Sequence, residues 1–214
     1  MKFCCRILLA AVAAFVFNAP LAAQEIALKG GVAISRFEST GPVQFDGSFV
    51  STAFGGHARF HFGRIAIQPE LQMVSRGASA SGSTTDDKMR LDYMEVPVMI
   101  VVPVAIGSFE PYVFGGPMLS LETRCRLTLE RDDLKTTLDC DDGSIENSFD
   151  RTVIDYGASA GLGVSHRIGS GRILLEGRYT WGLRDIYDGI DESIEVRNRS
   201  AVISIGYAIQ ADGM

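Results

Sequence analysis

The chain has 214 residues, with 26 Asp and Glu against 20 Lys and Arg and a formal net charge of −6. That length suits one domain, and the acidic balance disfavours a general nucleic-acid role, which needs basic patches. Without Lys2 and Arg6, at the N-terminus, 18 basic residues face 26 acidic ones and the net charge is near −8.

The first element, residues 1–23, reads as a signal peptide. Lys2 and Arg6 supply a positive start, Ile7 to Phe17 is an apolar run too short to span a bilayer, and Ala22-Ala23 before Gln24 is the expected cleavage site. An uncleaved anchor is disfavoured because such anchors are normally longer. No later segment reaches the ~20 apolar residues of a spanning helix. The longest apolar run, Met94 to Ile106, is interrupted by Glu95, Pro97 and Pro103. Residues 24–214 are expected to form a single domain.

Beyond the export segment the chain reads as a succession of strands. Alternation predicts them near Ile26–Phe37, Phe49–Phe62, Ile65–Arg76, Met89–Val104, Phe109–Thr123, Arg151–Ile168, Arg172–Leu183 and Arg197–Ile209. The clearest is the sixth. Asp155, Gly157, Ser159, Gly161, Gly163, Ser165 and Arg167 share one phase, and Tyr156, Ala158, Ala160, Leu162, Val164 and His166 the other. Successive strand side chains point to opposite faces, so this strand has one small, polar face and one mainly apolar face. In the seventh, Leu175, Gly177, Tyr179, Trp181 and Leu183 oppose Glu176, Arg178 and Thr180; in the eighth, Ile203, Ile205, Tyr207 and Ile209 oppose Ser204, Gly206 and Ala208.

The connections alternate in length. Phe62-Gly63-Arg64, Ala105 to Ser108 and Gly169 to Gly171 are tight; Glu38–Ser48, Gly77–Lys88, Arg124–Asp150 and Arg184–Val196 are long and polar. Short turns on one side and long loops on the other are the outer-membrane arrangement. The predicted fold is therefore all-β, an eight-stranded antiparallel up-and-down transmembrane β-barrel in the outer membrane of a Gram-negative bacterium, reached through the periplasm and surrounded by outer-membrane lipid. A soluble periplasmic barrel would turn its charged phase outward. Here the phase opposite the large apolar residues is mostly Gly and Ser, which suits a narrow lumen with room only for side chains.

Several residues invite a chemical role. Glu95, Glu176 and Arg178 fall on the lumen phase, and Arg59, Glu70 and Asp155 are expected to join them. Buried charges are costly unless paired, so an ion-pair network filling the barrel is preferred over a gated ion path. His57, Arg59 and His61 share a face, but the histidines lie roughly 13 Å apart at about 3.3 Å per residue, too far to share a metal ion. His166 lies at the periplasmic end, away from the outer leaflet where a lipid hydrolase would need its histidine and nucleophile. Asp139 to Glu146 is acidic and carries Gly143, but it lacks the spacing of a calcium loop. The sequence offers no catalytic constellation, and no cofactor or metal site is expected.

Cys4 and Cys5 lie in the export segment, ahead of its apolar run. Cys125 and Cys140 remain in the exported chain, where a disulfide is permitted. Its closure is worth roughly 3 kcal/mol in the chain-entropy model, and it would tie an external loop; two free thiols are the alternative.

The fourth strand contains Tyr93-Met94-Glu95-Val96-Pro97. This resembles the Tyr-x-Glu-x-Pro signature of the PorT-like outer-membrane β-barrel family common in Bacteroidetes. Glu110-Pro111-Tyr112-Val113-Phe114-Gly115-Gly116-Pro117 resembles that family's next strand. Leu175 to Leu183, followed by Asn198-Arg199-Ser200, resembles its final hairpin. The resemblance spans residues 24–210 and rests on the order of individually weak motifs. It implies an outer-membrane barrel and no particular activity. The chain departs from many barrels in continuing past Ile209 with Gln210 to Met214 rather than ending on an aromatic residue. The expected role is structural or interactive, with acidic external loops offered to another envelope protein.

Overall fold

The computed structural model describes residues 25–40, 47–81, 85–104, 109–131, 134–139, 153–185 and 195–210. Among these described residues nine strands form, in chain order: β1 (Glu25–Thr40), β2 (Gly47–Phe62), β3 (Ile65–Ser81), β4 (Thr85–Pro103), β5 (Phe109–Arg131), β6 (Leu134–Asp139), β7 (Ile154–Ile168), β8 (Gly171–Gly182) and β9 (Glu195–Gln210). Eight of them close into an antiparallel ring. The order runs β4-β3-β2-β1-β9-β8-β7-β5, and β4 pairs with β5 to complete the circle. The seam between first and last strands is long and regular, from Glu25 opposite Gln210 to Thr40 opposite Glu195.

Among the described strands, the one outside the ring is β6. β5 pairs with β7 only as far as Leu121 opposite Ile154. Beyond that it continues against β4 on one side and β6 on the other, with Arg126 opposite Asp139 and Arg131 opposite Leu134. The expected long connection Arg124–Asp150 is thus partly a hairpin. Its signal is a short alternation: Leu127 and Leu129 before Asp132-Asp133, Leu134 and Leu138 after. β3 and β4 likewise pair beyond Arg76 and Met89, out to Ser81 opposite Asp86, inside the expected connection Gly77–Lys88. β7 starts at Ile154 rather than Arg151; residues 151 and 152 are not among those described.

Two of the tight turns rest on glycines with positive φ, Gly63 at 63° and Gly169 at 60°. Glycine reaches this region without the clash a Cβ would cause, so β2–β3 and β7–β8 reverse within two residues. The remaining short connection, residues 105–108, lies outside the described set.

Which phase faces outward is decisive. Leu28 is 75% exposed, Leu162 68%, Ile203 67% and Phe54 61%, while Glu70, Glu95, Asp155, Glu176 and Arg178 are buried. A water-soluble barrel would reverse this, because contiguous exposed apolar surface on such a scale needs a partner. The outer face is a hydrocarbon-facing belt and the charged groups are the filling. The β4–β5 pairing leaves the ring without a free edge, as a bilayer core requires.

The lumen is filled in layers. Ala27, Leu174 and Ala208 pack towards the periplasmic end, and Ala66, Met99, Val101, Tyr112 and Phe114 form a second cluster. Ala33, Phe37, Ala53, Val74, Leu91, Tyr93, Cys125, Val196 and Val202 close the external half. The small residues of β7 make room for aromatic rings. Tyr112 lies opposite Gly163 and Phe114 opposite Gly161, and a Cβ built on either glycine would collide with its facing ring.

Candidate functional site

The residues with chemistry lie in the bore. Arg178 on β8 reaches Glu70 on β3, its Nη2 donating to Oε1 at 2.7 Å and to Oε2 at 2.8 Å. These strands stand four places apart in a ring of eight, so the pair spans the full diameter. Lys29 on β1 lies between them, with Nζ 3.1 Å from Glu70 Oε2 and 2.8 Å from Glu176 Oε2. The Tyr112 hydroxyl donates to Glu176 Oε1 at 2.9 Å. Two cations and two carboxylates balance, and the side chains of Lys29, Glu70, Glu176 and Arg178 are at most 5% exposed. Charges this deep persist only when paired and hydrogen-bonded.

A second group lies towards the external side. Arg76 pairs with Glu95 and stands 3.8 Å from Asp155 Oδ2. Asn198 Nδ2 donates to Asp155 Oδ2 at 2.9 Å, and the Arg76 guanidinium lies 5.5 Å from the centre of the Tyr93 ring. A third lies towards the periplasm. Arg59 Nε donates to Gln68 Oε1 at 2.6 Å, and Gln68 Nε2 to Glu70 Oε1 at 2.7 Å, linking this group to the central one. Arg59 Nη1 is 3.0 Å from Glu25 Oε1, an ion contact without hydrogen-bond alignment.

The six lumen residues singled out from sequence are all buried in the bore, spread over these three groups. Glu70 pairs directly with Arg178, Glu176 joins them through Lys29, Glu95 and Asp155 share Arg76, and Arg59 joins the central group through Gln68. Sequence reasoning did not single out Glu25, Lys29, Gln68, Arg76 and Tyr112. The phase that carries Ala27 and Ala33 also carries Glu25 and Lys29, so strand alternation alone would have placed those two inside.

His57 is buried, with Nε2 3.7 Å from Glu25 Oε1, while His61 lies at the exposed periplasmic end of β2. His166 stacks on Phe109, ring centroids 4.7 Å apart, outside the bore and near the periplasmic turns. Among the described residues no three His, Cys, Asp or Glu side chains gather as metal ligands. Cys125 is 2% exposed within the external apolar cluster. Cys140, its expected partner, lies outside the described residues, as does the acidic stretch after it.

A family model described as an outer membrane protein beta-barrel domain matches residues 20–188. The chain belongs to that family. It is an outer-membrane β-barrel protein, and its apolar belt faces outer-membrane hydrocarbon. No curated protein matches it. Among solved structures it is similar to Neisserial surface protein A, at 13% identity and a TM-score of 0.49 over 86% of this chain and 96% of that one. It is also similar to Ail of Yersinia pestis, at 13% identity and a TM-score of 0.45 over 86% and 98%. The N-terminal barrel domain of Pseudomonas aeruginosa OprF aligns at 10% identity and a TM-score of 0.38 over 87% and 98%.

Proposed function

We propose that this barrel has a structural or interaction role in the cell envelope and offers its external strand ends and acidic loops to another envelope protein. The observation that carries this reading is a contrast within one molecule. The bore is crossed by Glu70–Arg178, which suits a rigid wall rather than solute flow. The wall meanwhile extends beyond the closed ring on one side only, where β5 runs to Arg131 and returns as β6. Paired strands hold side chains in fixed register, a better docking surface than an unstructured loop. A non-enzymatic role is supported by the histidines, since His57 is spent inside the bore and His166 sits at the periplasmic end.

Within the family we infer a PorT-like member. Tyr93, Glu95 and Pro97 all face inward, and the Glu95–Arg76 pair with Arg76 over Tyr93 gives the Tyr-x-Glu-x-Pro segment a physical role. The same reading has residues 1–23 removed on export and Cys125 joined to Cys140.

Proximity crosslinking in native membranes tests the role, comparing the full chain with a variant lacking residues 126–139. The full chain should capture a defined envelope protein that the variant loses, while both stay barrel-folded. An unchanged partner set, or reproducible conductance of the purified full chain in planar bilayers, overturns the reading.

A further inference from the structure

The outer wall carries a second site, on the face opposite the lumen. In β4 the inward residues Leu91, Tyr93 and Glu95 alternate with Arg90, Asp92 and Met94, which point away from the bore. In β5 the ladder slips by one residue between Asp92–Arg124 and Tyr93–Glu122, and Thr123 is the extra residue. Its hydroxyl donates to the Asp92 carbonyl at 2.9 Å. Such bulges re-aim side chains. This one sets Arg124 opposite Asp92 and Arg126 opposite Arg90, all on the outward face.

Two arginines directly across a strand pair repel. Asp92 holds them together, accepting from Arg90 Nε at 2.8 Å and Arg126 Nη2 at 3.3 Å, while Arg90 Nη2 donates to Ser75 Oγ at 2.8 Å. Arg126 Nε is buried without an acceptor. Asp139 faces Arg126 from β6, and Lys88 lies one step further along the outward face of β4. Among the described side chains here, four cations, Lys88, Arg90, Arg124 and Arg126, lie on the same face as two carboxylates, Asp92 and Asp139. That excess runs against the composition of the whole chain, with 26 acidic and 20 basic residues.

Immediately below, the surface turns apolar. Phe54 and Met73 are 61% and 39% exposed, and with Ser75, Arg90, Asp92 and Arg124 they border a groove of about 320 Å³. An apolar floor in the hydrocarbon belt under a ledge of guanidinium groups matches an amphiphile with acyl chains and an anionic head. Guanidinium binds phosphate oxygens bidentately, whereas a water-soluble peptide would leave the belt side unmatched.

We propose that this ledge holds a phosphorylated, multiply acylated lipid of the outer leaflet, its phosphate on Arg90, Arg124 and Arg126 and its chains along Phe54 and Met73. The proposal concerns the lipid-facing wall and does not depend on a protein partner. The test is native mass spectrometry of the purified full chain after incubation with diphosphoryl lipid A, with its dephosphorylated counterpart, or with inorganic phosphate. The triple variant Arg90→Gln, Arg124→Gln, Arg126→Gln is compared with the triple Lys variant, and retained heat-modifiable gel migration verifies that each is folded. Two or three lost charge-assisted contacts predict that the Gln variant retains the phosphorylated lipid at least roughly tenfold more weakly, with the Lys variant intermediate. Equal retention by wild type and the folded Gln variant overturns the proposal. So does equal retention of the phosphorylated and dephosphorylated lipids, or inorganic phosphate displacing the lipid at millimolar concentration.

Discussion

Lys29, Glu70, Glu176 and Arg178 behave as one neutral unit, so the cost of a substitution depends on what it leaves behind. Arg178→Gln leaves two carboxylates with Lys29 alone, and a buried uncompensated charge is expected to cost about 3–5 kcal/mol. Adding Glu70→Gln restores balance, because Lys29–Glu176 remains at 2.8 Å. The double variant should therefore be more stable than Arg178→Gln alone, as read from urea unfolding midpoints in a double-mutant cycle; additive losses would show that the four groups act separately. Gly163 makes the complementary case from sterics. Its absent Cβ is what admits the Tyr112 ring and with it the hydrogen bond to Glu176. Gly163→Val should cost about 1–3 kcal/mol by overpacking, measured the same way, whereas valine at Gly177, where a Cβ meets nothing within 4 Å, should cost much less. The inward position of both glycine and charge was legible from period-two alternation. The partners were not, because a contact such as Lys29–Glu176 joins residues 147 apart in sequence and exists only once the ring has closed.

At the scale of the element, β5 has two different lives. Its first half belongs to the ring, between β4 and β7; its second belongs to a hairpin, between β4 and β6. The sequence marks the change weakly. Thr123-Arg124 breaks the alternation at the bulge, and the charged run Glu130 to Asp133 resembles loop composition, so a hairpin of six pairs is easily mistaken for an irregular connection. Cys125 stands at the junction, buried beneath the hairpin among Leu91, Val74 and Val202. The proposed bond to Cys140 would pin the returning arm of the hairpin to the ring. Cys125→Ser with Cys140→Ser should still insert, since the ring ladder does not use that bond, but should expose the segment after Asp139 to external protease. Two free thiols in the native protein, found by mass spectrometry, would refute the bond; failure of the double variant to insert would refute its confinement to the hairpin.

At the scale of the whole molecule, closure removes every edge strand from the eight-stranded ring, and the bore is crossed by hydrogen-bonded charges. Both features predict a fold that survives mild detergent without heat. Unboiled protein should migrate differently from boiled protein on a denaturing gel, and the Arg178→Gln variant should lose the compact band at a lower temperature than wild type. Identical migration of boiled and unboiled wild type would contradict a closed, ion-paired barrel. Closure also sets an order of events. The seam joins β1 to β9, so the first wall segment to emerge must wait for the last. Until then Lys29 faces neither Glu176 nor an enclosed interior, and the apolar belt has no ring to belong to. Pairing between such distant segments is intrinsically slow and leaves unpaired edges open to aggregation. The final strand is therefore a latch. A chain cut short of Glu195 would forfeit the seal as well as one-eighth of the wall, whereas the full chain is an open ribbon in need of protection only until its two ends meet.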